Sequence, residues 1–114
     1  MEPGNIGVVP LEQTKADRRK WQANNKNTVI RKGGFVKLLL ASYCGTATER
    51  MWVKVEYEYN EWKGGNGSMC GLLWNTPAQV AIAARYSHGD EVPFYRDEVI
   101  DYMTEAQLNA IENN

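Results

Sequence analysis

The run from Glu49 to Tyr59 constrains the fold of this chain more than any other stretch. Its side chains alternate, because Met51, Val53, Val55, Tyr57 and Tyr59 fall on one face and charged residues fall on the other. A β-strand has a side-chain period of two, so the run predicts a half-buried strand. Trp52 breaks the pattern as the largest apolar side chain on the charged face. We interpret it as part of a contact surface or of a second small core. In the second case a terminal helix would cover the ring through Trp21, Leu108 or Ile111.

Length and composition indicate a globular protein. The chain has 114 residues, of which 43% are hydrophobic, and both values are typical of one folded domain. Two Pro and two Gly among the first residues predict an extended N-terminal arm over residues 1–10. We expect residues 11–114 to form a single domain.

Neither a targeting segment nor a metal site is predicted. The first residues lack the basic and long apolar regions of a signal peptide, and no run approaches the ~20 apolar residues of a membrane span. We therefore expect a cytoplasmic protein without a membrane partner, with Cys44 and Cys70 reduced and packed as small core residues. One His and two Cys cannot supply a four-ligand zinc site, and we expect no cofactor.

Turn and capping signals divide the rest of the chain into short elements. Thr14 is predicted to cap a helix over about residues 15–24 that docks through Trp21, and Thr104 to cap a closing helix with Gln107. Between them, strands are predicted over 35–42, 49–59, 69–74 and 79–85, with further pieces around Val92, Phe94 and 99–100. The fold class is therefore α+β: a small, strongly bent antiparallel sheet or SH3-like barrel with a short helix at each end.

Four sequence blocks resemble an uncharacterised family of small bacterial and phage domains. They begin at Gly34 (GFVKL), Glu49 (ERMWVKV), Gly71 (GLLWNTP) and Gly89 (GDEVPF), and the similarity extends over about residues 30–102. The family pattern reads roughly E-R-M-W-V-x-V, G-x-L-x-N-x-P and G-D-x-V-x-F. The resemblance implies a compact SH3-like or bent-sheet domain with no established catalytic activity.

The same resemblance gives one functional alternative. Some phage and mobile-element proteins of this size block a host defence component, either by binding a protein or by sequestering a nucleotide-like ligand. The anion-binding candidates would then be Arg50, Lys54, Arg85 and Arg96, since guanidinium and ammonium groups bind phosphate.

Catalysis is not predicted. The only His, His88, lies in a Ser-His-Gly-Asp turn, where a solvated loop residue is the more common interpretation than a general base. The chain contains no phosphate-binding GxxxxGK[ST] or GxGxxG motif. We expect a protein that is not an enzyme.

A basic front gives a second alternative, namely single-stranded nucleic-acid binding. Residues 1–41 carry a net charge of +5 and residues 42–114 a net charge of −6. The cluster Arg18, Arg19 and Lys20 precedes Trp21, and positive charge beside a stacking ring is typical of such sites. The pI of about 5.8 argues against it, because nucleic-acid-binding domains are usually basic.

The preferred interpretation is a non-catalytic binding module that contacts another protein. Aromatic residues dominate protein–protein hot spots, and this chain has four Trp and six Tyr. The predicted binding residues are Trp52, Lys54, Trp62, Tyr95 and Arg96. Trp74, which follows Cys70 and Leu72 at even spacing, is predicted to be core instead. Exposed aromatic rings also favour association between copies of the chain, so a homodimer is a further expectation.

Overall fold

The computed structural model describes residues 11–58 and 68–112, with only the backbone at residues 11–13 and 112. Within these ranges the chain forms one five-stranded antiparallel sheet and three helices, which confirms the predicted α+β class. The sheet is not closed into a barrel, and a helix lies at each end of the described chain. The elements are α1 (Leu11–Asn24), β1 (Phe35–Ala41), β2 (Thr48–Tyr57), β3 (Met69–Leu73), α2 (Val80–Ala83), β4 (Glu91–Phe94), a 3₁₀ turn (Arg96–Glu98), β5 (Asp101–Met103) and α3 (Glu105–Glu112).

The strand order is β4-β3-β2-β1-β5, so the alternating strand β2 is the centre of the sheet. The predicted hairpin of β1 and β2 is confirmed, with Leu38 opposite Met51. On the other side of β2, Lys54 lies opposite Leu72 of β3. β5 returns to pair with β1 and forms the second edge. The predicted arm over residues 1–10 lies outside the described residues.

The main core covers one face of the sheet, as the alternation in β2 predicts. Alternate residues of β1 to β4 are buried there. Burial of apolar surface stabilises the fold by about 25 cal/mol for each Å² removed from water. This layer is extended by Trp21 of α1, by Ile82 of α2 and by Val99, which precedes β5. The strand residues of this core are Val36, Leu38, Leu40, Met51, Val53, Val55, Met69, Leu73, Val92 and Phe94.

Helix α1 differs from its prediction at the N-terminus. The helix begins at Leu11, so Thr14 is an interior residue and not the cap. Thr14 is buried, and its hydroxyl accepts a 2.6 Å hydrogen bond from Arg18 Nε one turn later. Docking through Trp21 is confirmed, since its side chain is only 6% exposed.

The prediction of a strand over residues 79–85 is wrong. Backbone hydrogen bonds from Ala83 to Gln79 and from Ala84 to Val80 form a short helix, α2. Ile82 is fully buried while Val80 is 87% exposed, so one side chain anchors the segment. An apolar run this short does not distinguish strand from helix by periodicity, and alanine favours the helix.

The predicted capping box of α3 is confirmed. The Gln107 backbone amide donates to Thr104 Oγ1 at 3.1 Å, and the Thr104 amide donates to Gln107 Oε1 at 2.9 Å. Two backbone donors that a helix start leaves without partners are thereby satisfied.

Candidate functional site

The face of the sheet opposite the main core, here called the second face, carries aromatic and charged side chains together. Because strand side chains alternate, the residues between the core positions point to this side. The Trp74 amide donates to the Trp52 carbonyl at 2.9 Å, which extends the pairing of β2 and β3 by one position. The second face includes Phe35, Lys37, Leu39, Trp52, Lys54, Cys70, Leu72, Trp74 and Glu91.

Strand register brings two Trp–Lys pairs side by side on this face. Lys37 lies opposite Trp52, and its Nζ is 5.0 Å from the centroid of that ring. Lys54 Nζ is 4.9 Å from the Trp74 ring. An ammonium over an indole at this range contributes about 0.5–1 kcal/mol at an exposed site. We call Lys37, Trp52, Lys54, Leu72 and Trp74 the indole patch.

Two further rings support the indole patch from its margin. Phe35 is buried beneath it, with its ring centroid 5.7 Å from that of Trp74 in an edge-on arrangement. The ring centroid of His88, an exposed turn residue, lies 5.4 Å from that of Trp74. Trp74 is thus close to two rings and one ammonium, which restricts its rotamers. A side chain restricted in this way loses less entropy when a partner binds.

The alternatives for Trp52 and Trp74 now have answers. Trp52 is half-buried, and the side chain seen over it is Lys37. Trp21 belongs to the main core, and Ile111 of α3 is 62% exposed. The prediction that Trp74 is a core residue is wrong: the ring is 38% exposed. It shares a face with Cys70 and Leu72 as predicted, but that face is the second one.

The two ammonium groups of the indole patch have no carboxylate partner among the described residues. Ion pairs there join Arg50 to Asp17 at 2.8 Å and Arg31 to Glu58 at 3.7 Å, and neither involves Lys37 or Lys54. The patch therefore combines exposed aromatic surface with two positive charges that a carboxylate from another molecule could neutralise.

The predicted binding residues divide into two places. Trp52 and Lys54 lie together in the indole patch, while Trp62 lies outside the described residues. Tyr95 is exposed and precedes the 3₁₀ turn that packs against α1. Arg96 stacks on the Trp21 ring at 4.9 Å and donates to the Asn25 carbonyl at 2.9 Å. Tyr95 and Arg96 thus belong to the α1 side of the molecule.

The four candidates for anion binding each have a different partner within the fold. Arg50 is paired with Asp17, Arg96 packs on α1, and Lys54 lies over Trp74. Arg85 donates to the Ala41 carbonyl at 3.1 Å, and its guanidinium lies over the rings of Tyr43 and Tyr86.

The basic cluster of α1 lacks the accessible ring that its nucleic-acid interpretation requires. Arg19 and Lys20 are exposed, but Trp21 is buried and covered by Arg96. Arg18 donates to Thr14 and to the Asp97 carbonyl at 3.0 Å. A base has no free face of Trp21 on which to stack.

An open cleft of about 450 Å³ lies between α1 and the sheet. Its charged lining residues are Asp17, Lys20, Lys37, Arg50 and Asp101, so the cations exceed the carboxylates by one. This near balance, with Arg50 already paired to Asp17, gives the cleft little preference for a ligand of either sign.

The two thiols have opposite environments. Contrary to the prediction of a core residue, Cys44 is exposed in the turn between β1 and β2. Hydrogen bonds from Thr46, whose Oγ1 is 2.9 Å from the sulfur, lower the pKa of Cys44 to about 7. Cys70 is buried as predicted, and desolvation raises its pKa to about 12.

Sequence reasoning identified Trp52 and Lys54 but missed the rest of the indole patch. Lys37 is the only charged residue in the apolar run of β1, and its charge indicates a sheet face that is not part of the main core. Exposure of Trp74 had no such signal, because it depends on which face of β3 meets the core. That choice is set by register with β2.

Several classes of site have no counterpart in residues 11–58 and 68–112. No three His, Cys, Asp or Glu side chains there lie close enough to hold a metal ion. None of the helices in that part of the chain is long and apolar enough to cross a membrane.

Comparisons with protein-family models, curated proteins and solved structures found no match. The family resemblance of the four sequence blocks stays a prediction.

Proposed function

We propose that this protein is a non-catalytic binding module that contacts another protein through the indole patch. One observation carries the proposal: Trp74 is partly exposed beside Trp52, and the two lysines over these rings have no ion-pair partner among the described residues. Trp is one of the residues enriched among the hot spots near the centres of protein–protein interfaces. The partner surface that fits this patch presents a carboxylate next to an apolar side chain.

The chemistry of the indole patch favours a protein over a nucleic acid. Lys37 and Lys54 already occupy positions over the two indoles, so a base would have to displace an ammonium before it could stack. A carboxylate would instead approach the ammonium from outside, while apolar groups cover Leu72 and the free edge of Trp74. Inhibition of a host defence component stays a prediction, because each of its four candidate cations contacts a different partner within the fold and they do not form one described cluster.

Affinity capture tests the proposal directly. The tagged full chain, immobilised, is exposed to lysate of the cells that encode it, and bound proteins are identified by mass spectrometry. Two variants disrupt the surface: Trp74→Ala deletes the exposed ring, and Lys54→Glu reverses the charge of one lysine. Val80→Ala is the matched control, because Val80 is 87% exposed on α2 and lies outside the patch. Circular dichroism establishes that each variant folds.

The expected result is a partner retained by wild type and by Val80→Ala, and lost from both patch variants. Loss of roughly tenfold or more in affinity is expected for Trp74→Ala, since hot-spot truncations cost about 2 kcal/mol or more. A partner that binds folded Trp74→Ala and Lys54→Glu as well as wild type would place the contact surface elsewhere and refute the proposal.

A further inference from the structure

At the level of Leu72, the second face carries opposite charges on the two sides of β3. In the row that crosses the sheet at Leu72, Lys54 of β2 lies on one side and Glu91 of β4 on the other. Adjacent strands are about 4.8 Å apart, so the two charged residues are nearly equidistant from β3. Glu91 is exposed, and neither it nor Lys54 has an ion-pair partner among the described residues.

This arrangement is self-complementary under a two-fold rotation. Consider two copies with their second faces together and a two-fold axis in the interface along β3. The rotation exchanges the two sides of β3, so Lys54 of each copy faces Glu91 of the other. Residues of β3 itself lie near the axis, which brings Leu72 against Leu72 and Trp74 against Trp74. Such an interface is isologous, because each contact occurs twice.

We infer that the partner of the indole patch is a second copy of this chain, which forms a two-fold dimer along β3. The inference rests on the proposed function and names its partner. The carboxylate beside an apolar side chain that the indole patch requires is present on the chain itself, as Glu91 beside Leu72. Packed sheets lie about 10 Å apart, a distance that the long Lys54 and Glu91 side chains can span from opposite sides.

Electrostatics disfavours the other simple face-to-face arrangement. A two-fold axis across the strands would set Lys54 against Lys54 and Glu91 against Glu91, and like charges facing each other are strongly unfavourable. The apolar contact at the axis is small, because it is provided chiefly by Leu72 and Trp74. We therefore expect a dimer whose population depends on concentration and which weakens as salt screens the charge pairs.

Sedimentation equilibrium with charge-reversed variants tests the inference. The full chain is measured at low salt, over a concentration range that extends to several hundred micromolar. Wild type is expected to change from monomer to dimer. Lys54→Glu and Glu91→Lys should each weaken the dimer by roughly tenfold or more, because each places two like-charge pairs in the interface. The double variant restores both pairs with reversed sign and should recover most of the affinity.

A matched control separates the specific pair from net charge. Lys20→Glu makes the same charge change on exposed α1 and should leave dimerisation as in wild type. The inference is overturned if wild type stays monomeric over the whole concentration range, a result that does not depend on any variant folding. It is also overturned if the single charge reversals leave the dimer intact, or if the folded double variant does not recover it. If capture from lysate still depends on Trp74, the proposed function stands while this inference fails.

Discussion

Replacing Gly71 with alanine tests how closely β2 and β3 approach beneath the indole patch. A Cβ on Gly71 would lie 2.5 Å from the Lys54 carbonyl oxygen and 3.0 Å from its carbon, and it would also meet Val53 Cγ1. Carbon atoms in contact are normally about 3.5–4.0 Å apart. The clash involves backbone, and β2 cannot retreat because β1 pairs with it on the other side.

The structure therefore places the cost of Gly71→Ala at the upper end of overpacking. Inserting a methyl group into a packed core costs about 1–3 kcal/mol, and we expect about 3 kcal/mol here because backbone must move. For a chain of this size that free-energy change corresponds to a fall in Tm of roughly 10 °C. The free energy of unfolding is measured by urea titration, with tryptophan fluorescence as the signal.

Gly45→Ala is the matched control. Gly45 has a φ of 75°, but nothing lies within 4 Å of the added Cβ, so only the left-handed backbone conformation is penalised, at about 1 kcal/mol. If Gly71→Ala lowers the free energy of unfolding by no more than Gly45→Ala does, then β2 and β3 do not approach as closely as described. The juxtaposition of Trp52 and Trp74 would then lose its structural basis.

Three further expectations follow from individual residues. The rate of Cys44 alkylation by iodoacetamide should reach half its maximum near pH 7, because the thiolate is the reactive form. Cys70 should stay unreactive in the folded chain. A midpoint near pH 9 for Cys44 would contradict the hydrogen bonds described. Thr104→Ala should cost about 1 kcal/mol in urea unfolding by removing the cap of α3, and an unchanged midpoint would mean that the cap does not form. Trp21→Ala should cost about 3–5 kcal/mol and Trp52→Ala clearly less, since only Trp21 is core; equal losses would make Trp52 a core residue.

The sequence predicted those parts of the fold that depend on local periodicity and capping. The alternation of β2 placed Met51, Val53 and Val55 in the core, and the turn after Ala41 placed β1 beside β2. The Thr104 box predicted the start of α3. In each case the physical cause lies within a few neighbouring residues.

Predictions failed where the deciding interactions are distant in sequence. The segment containing Val80 and Ile82 has a pattern that suits either a strand or a helix, and a single core contact through Ile82 decides it. Trp74 was assigned to the wrong side because the facing of β3 follows from its register with β2. One further failure is local: Thr14 suits a helix cap, but α1 begins three residues earlier.

The candidate site was predicted only in part, for the same reason. Trp52 and Lys54 are neighbours along one strand, so their common face could be deduced. Lys37, Leu72 and Trp74 join them through strand pairing, which single-sequence reasoning does not supply. The opposite charges of Lys54 and Glu91 around β3 become visible only once the strand order is known.

Hydroxyl-radical footprinting of Trp74 tests the central claim, that the indole patch is a contact surface, most directly. Oxidation of each side chain is measured in the dilute chain and again at the concentration where the complex forms. Tyr43, which is 68% exposed in the turn after β1, serves as the internal reference. Oxidation of Trp74 is expected to fall in the complex while that of Tyr43 does not. Trp74 oxidised equally in both conditions, with the complex demonstrably present, would contradict it.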